Sequence, residues 1–251
     1  MSNQKIQTIL WWLCLFIAPS ILVIIELFHP AGFTKEPPGM YQYLSHSHSA
    51  PYAHGHKALG YFGPEWWFIL HMIQTPAVGL VAIGLWLMLA NVGDEDGGLV
   101  LLTSWLSRIA TYIFLIYYTV LDSIGGIGLG QTILVAERLH KEGGKHGLNE
   151  TQMQGVERLL NATWVDPWIG GVNSFVSQTG SWAIFFAALF AAITLFLAKK
   201  APLPALILLI AFGWFLQLTH ASYYGPLAFT LLIAASIWIW AYQHRASAQE
   251  G

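Results

Sequence analysis

The sequence predicts an all-α fold, a polytopic membrane helical bundle of about six spans. Three observations carry that expectation. Of 251 residues, 55% are hydrophobic and only 10% are charged, against about 25% charged in a soluble domain. The apolar residues gather into six runs near the roughly 20 residues a helix needs to cross about 30 Å of hydrocarbon. The polar residues that interrupt those runs are few, and they collect toward one side. Cys14 is the single cysteine, which excludes an internal disulfide and a CxxC redox pair. Eleven basic and thirteen acidic residues leave a net charge of −2. No basic stripe interleaved with aromatic residues occurs, so no nucleic acid is expected as partner. The expected partner is the lipid bilayer, with a further membrane protein or a homo-oligomer open.

In chain order, the spans are read over residues 7–28, 66–91, 99–123, 179–198, 204–221 and 223–242, as one integral membrane domain. The first is expected to be retained, because no small-residue cleavage site follows it. The third runs into Ser123-Ile-Gly-Gly-Ile-Gly-Leu-Gly130. Four glycines within six residues cost about 1 kcal/mol each relative to alanine, so a break or bend is expected there. The fifth and sixth spans are joined through Tyr223-Tyr-Gly-Pro226, where proline suits the first turn of a new helix. Lys5, the Lys199–Lys200 pair and Arg245 fall on one side of alternating spans, and Arg108 leans the same way. The positive-inside rule makes that side cytoplasmic, so both termini are expected inside, in a plasma (inner) membrane. Two long loops, 29–65 and 124–178, then face out. Within the second, Met153, Val156, Leu160 and Trp164 recur at helical spacing. They predict a short amphipathic helix over 149–165, opened by a capping box of Thr151 and Gln154, lying on the membrane surface or over the bundle.

Ionisable side chains inside spans are costly and usually face the protein interior. They are Glu26, His71, Arg108, Asp122 and His220, with His29 at the end of the first span. At about 1.5 Å per residue, all but Arg108 lie within roughly 10 Å of the outer interface. Arg108 is expected to snorkel to the inner headgroups. The first outer loop adds two His-x-His pairs, His46/His48 and His54/His56, on the same side. Alternate residues of an extended segment point the same way, so each pair can capture an ion. Glu26/His29 and Glu137/His140 each have the Glu-x-x-His spacing of di-iron carboxylate bundles, and the latter is a second di-metal candidate.

These placements lead to a pocket in the outer half of the bundle. His71 and His220, with Glu26, His29 and Asp122, would hold a transition metal (Fe, Cu or Zn), or the two histidines would ligate haem b. The chemistry would be redox or metal handling, with the loop histidines delivering the ion. A proton- or cation-coupled small-solute transporter using His71, Asp122 and the glycine run is the second class. A non-catalytic assembly subunit whose histidines only join helices is the third. No His-Glu-x-x-His, Gly-x-Ser-x-Gly or P-loop motif is present, which removes zinc-protease, serine-hydrolase and ATPase readings.

Overall fold

The computed structural model describes residues 3–29, 41, 44, 63–90, 92, 96–144, 147–171, 173–221 and 223–249. Among them the regular structure is entirely helical. Helix α1 (Asn3–Trp12) passes through a π-helical turn (Leu13–Ile17) into α2 (Ala18–Glu26). Then come α3 (Gly63–Met88) and α4 (Gly98–Leu121), followed by a second π-helical segment (Asp122–Gly128) and α5 (Leu129–Glu142). The remaining helices are α6 (Glu150–Trp164), α7 (Phe175–Leu197), α8 (Leu203–Leu218) and α9 (Tyr224–Gln249).

Five stretches are long and apolar enough to cross a membrane: Lys5–Glu26, Gly63–Met88, Gly98–Glu142, Phe175–Leu197 and Tyr224–Arg245. The chain is thus a multi-pass helical membrane protein by length and composition. Helix α8 is equally apolar but has 16 residues, about 24 Å against a hydrocarbon thickness of about 30 Å. It stops short of the expected 204–221 because Thr219 turns to an extended backbone, φ −174° and ψ 147°.

The third span differs most from expectation. The glycine run does not break it: helix continues from Gly98 to Glu142, with Asp122–Gly128 wound as π-helix. The backbone cost of those glycines is offset by what their missing side chains admit. Trp67 Nε1 donates to Gly125 O at 2.9 Å, and the imidazole of His71 lies where a Gly126 side chain would be. The segment 124–178, expected as an outer loop, therefore contains α5 and α6. The amphipathic helix is present, but its capping box is Asn149 with Gln152 rather than Thr151 with Gln154. Gln152 N donates to Asn149 Oδ1 at 3.0 Å, and Asn149 N donates to Gln152 Oε1 at 2.9 Å. Asn149 has the extended backbone of an N-cap, and asparagine caps better than threonine.

The chain divides into two compact units. The first comprises Met1–Leu27, Pro76–Ile116 and Thr179–Gly251. Here α8 and α9 pack side by side through Phe212 and Phe229, and α9 also packs on α2. Small residues let helices approach closely, which is the main adhesive where lipid is as apolar as leucine. Thus a Cβ on Gly213 of α8 would lie 2.8 Å from Ala188 Cβ on α7. Hydroxyls tie α4 to α7: Ser107 Oγ donates to Ala187 O, and Thr194 Oγ1 donates to Thr103 Oγ1, both at 2.9 Å. The second unit comprises Phe28–Thr75 and Tyr117–Gln178. Its core gathers Tyr41, Leu44, Trp67, Leu129, Ile133, Ala136 and Met153, with Val156, Leu160 and Trp164 packed against them. The apolar stripe of α6 is therefore covered by α5.

Candidate functional site in the second unit

The N-terminal part of α3 carries Trp67, His71, Gln74 and Thr75 on one helical face, because residues four apart stack above one another. Trp67, His71 and Gln74 are all buried. They meet Tyr118, Asp122, Gly125 and Gly126, which share a face at the end of α4 and along the π-helical segment. Gln74 Nε2 donates to Tyr118 Oη. Thr75 Oγ1 lies 2.9 Å from Asp122 Oδ2 and 2.9 Å from the His71 carbonyl oxygen. Asp122 is 1% exposed, and among the described residues no basic side chain forms an ion pair with it.

His71 Nδ1 sits 2.7 Å from the Trp67 carbonyl oxygen. A carbonyl only accepts, so Nδ1 holds the proton and Nε2 carries the lone pair in the neutral ring. The ring also packs on Trp67 at a centroid distance of 4.5 Å and on His29 at 5.4 Å. His29, buried as well, packs on Trp67 at 5.1 Å. Gly126 is obligatory in this arrangement, since a Cβ there would collide with His71 Cγ and Cδ2.

The π-helical segment has a second side, which borders a pocket of about 360 Å³. Ser123, Gly128, Thr132, Leu160, Thr163 and Trp164 are among its walls. Three hydroxyls are set among apolar groups there, and no lining side chain is charged. Gly125 faces the Trp164 ring, which a Cβ at that position would meet at 3.4 Å from Cζ3. The same seven residues thus present Asp122 and the His71 cradle to α3 and a pocket wall to α6.

The structure distributes the expected site residues over both units. His29, His71 and Asp122 belong to the second, where His29 and His71 are adjacent. Glu26 and His220 belong to the first, where both approach Gly225: a Cβ on it would lie 3.3 Å from Glu26 Cβ and would collide with the His220 carbonyl oxygen. Glu137 and His140 share α5, and His140 Nδ1 lies 3.1 Å from Leu148 O while its Nε2 lies 3.9 Å from Glu150 Oε2. That pair of contacts ties α5 to the start of α6. His46, His48, His54 and His56 lie outside the described residues. Thr75, Tyr118 and Trp67 were not singled out from sequence, although Thr75 is four residues after His71 and Tyr118 four before Asp122. Among the described residues, no three His, Cys, Asp or Glu side chains converge to hold a metal ion. No family model, curated protein or solved structure matches this chain.

Proposed function

We propose that this integral membrane protein is a proton-coupled carrier of a small, uncharged solute, with Asp122 as the proton-exchanging group and the pocket beside the π-helical segment as the solute site. One observation carries the reading: Thr75 Oγ1 is equidistant from two oxygens, the His71 carbonyl and Asp122 Oδ2. A hydroxyl has one proton to donate, so it satisfies one of them fully at a time. With a proton on Asp122, the carboxyl donates to Thr75 Oγ1 and Thr75 donates to the carbonyl. When that proton leaves, Thr75 turns to the carboxylate. Asp122 opens the π-helical segment and Ser123, Gly125 and Gly128 of the same segment line the pocket, so a change at one is felt at the other. The pocket's uncharged lining supports an uncharged solute with one or two hydrogen-bonding groups. Buried ionisable residues in spans are commonly parts of proton relays, and π-helical insertions are frequent at functional sites.

The test is infrared spectroscopy of the purified protein in detergent at neutral pH. A protonated-carboxyl C=O component is expected in the wild type that Asp122→Asn removes and Thr75→Val displaces, while any contribution of the equally buried Glu26 persists. A band unchanged in intensity in Asp122→Asn would reject the proposal.

A second reading is a transition-metal ion on His29 and His71, for redox chemistry or metal handling. It is supported by their 5.4 Å centroid distance, since two imidazoles bound to one ion at about 2 Å each place their centroids roughly 5–6 Å apart. A carbonyl on Nδ1, as at His71, is also the usual orienting partner of a metal-binding histidine. It stands second because fewer than three donors converge among the described residues. Elemental analysis and a visible spectrum decide it: Fe, Cu or Zn near one per chain, or a haem band, must be lost in both His29→Ala and His71→Ala.

A further inference from the structure

A groove of about 530 Å³ runs between α3 and α4 in the first unit. Its walls include Ile83, Trp86 and Ala90 on one side and Trp105, Tyr112 and Leu115 on the other, with Arg108 as its one charged group. Ile83, Trp86, Trp105 and Tyr112 are about half exposed, between 47% and 58%. Arg108 Nη2 donates to Leu89 O at 3.1 Å, the carbonyl immediately beyond the last residue of α3. Its guanidinium carbon stands 5.4 Å from the centre of the Trp105 ring. The charge is thereby held back at the level where α3 ends, at the mouth of the groove rather than at its floor.

We infer that this groove binds one anionic phospholipid, an acyl chain along the apolar walls and the phosphate on Arg108. Two features commit it to that occupant. The first is length: Ala82 to Ala90 and Trp105 to Leu115 extend about 12–15 Å at 1.5 Å per residue, which is half of a hydrocarbon core of about 30 Å and therefore one leaflet. The second is charge. A guanidinium has five N–H donors in a fork suited to phosphate oxygens. Among the described residues no carboxylate lies within ion-pair distance of Arg108. A cation set among tryptophans at a helix end, paired with one carbonyl, matches a lipid phosphate from the leaflet in which it sits. Tryptophan and arginine are the side chains that habitually occupy this depth.

The experiment is native mass spectrometry of the detergent-purified chain titrated with dioleoyl phosphatidylglycerol or dioleoyl phosphatidylcholine. One phosphatidylglycerol is expected to be retained at least tenfold more tightly than phosphatidylcholine. Arg108→Gln should abolish that preference, and Ala90→Trp, which narrows the mouth while keeping the charge, should weaken both lipids. Equal binding of the two lipids by the wild type would overturn the inference, as would a preference that survives Arg108→Gln. If Arg108→Gln does not fold, Ala90→Trp decides alone, and unchanged lipid retention in it is the overturning result. Displacement of phosphatidylglycerol by millimolar inorganic phosphate would assign the site to a free anion and reject the lipid.

Discussion

Gly126 illustrates how much of the cluster rests on single positions. The His71 ring occupies the volume of its absent side chain, and the neighbouring α3 backbone cannot yield without moving Trp67 from Gly125 O. Gly126→Ala is therefore expected to destabilise the protein by about 1–3 kcal/mol, the usual range for forcing a methyl into a filled space. Gly155 of α6 is the control, because nothing lies within 4 Å of a Cβ built there. Gly155→Ala should be neutral or gain up to about 1 kcal/mol from helix propensity. Thermal unfolding of both variants in one detergent reads the difference, and equal midpoints would mean that the imidazole is not seated as described. At this scale the sequence was only partly legible. His71 and Asp122 announced themselves as rare ionisable groups in apolar runs, whereas Thr75 and Trp67 are ordinary residues until their partners are known.

Among the elements, α6 depends most visibly on local chemistry. Its apolar stripe is narrow, and its N-terminus is closed by the reciprocal bonds of Asn149 and Gln152. Asn149→Ala removes one bond and leaves the other without its partner geometry. The expected cost is about 0.5–2 kcal/mol, appearing as faster amide hydrogen exchange across Glu150–Trp164 with little change in α9. Uniform acceleration in both helices would instead indicate global loosening. This helix was legible because its signals are short-range, a periodic stripe with polar residues ahead of it. The box was misplaced by two residues because Thr151 and Asn149 both qualify in composition, and only the extended backbone at Asn149 distinguishes them. Continuation of helix through the glycine run was illegible for the opposite reason. It depends on Trp67 and His71, more than fifty residues earlier in the chain.

For the whole molecule, the positions of the spans could be read because hydropathy sums over about 20 consecutive residues. The reading 66–91 meets Gly63–Met88, and 223–242 meets Tyr224–Arg245. Depth along the membrane is an expectation from the same counting of residues. The angle at which a side chain leaves its helix axis was not legible, because each residue turns about 100° and packing alone fixes the phase. Depth placed Glu26, His29, His71, Asp122 and His220 in one layer. Packing sets His29 against His71 and sets Glu26 and His220 beside Gly225. The number of crossings turns on α8. Leu203, Ile207, Trp214 and Leu218 are exposed along its outer side, an apolar surface suited to hydrocarbon, and thinning a bilayer by a few Å costs fractions of a kcal/mol per Å. Helix α8 is therefore expected to cross, giving six passages. In a Cys14→Ala background, single cysteines at Ser2 and Ser247 should label from the same side and one at Ser47 from the other. Labelling of Ser2 and Ser247 from opposite sides would mean that α8 does not cross.

The π-helical winding at Asp122–Gly128 also makes that stretch the place in the span where one residue can be lost without turning the helix beyond it. Its hydrogen bonds span five residues instead of four, so losing one amino acid would let the chain fall back to ordinary α-helical winding. Everything downstream would then keep its phase, because a π-helical turn holds one residue more than an α-helical turn and the deletion removes that residue. Leu129, Ile133 and Ala136 would still face the core shared with Met153 and Tyr41. A frame-preserving deletion of a single codon here would thus spare the second unit's core, whereas the same deletion at the start of α5, already wound as α-helix, would turn the rest of that helix by about 100°.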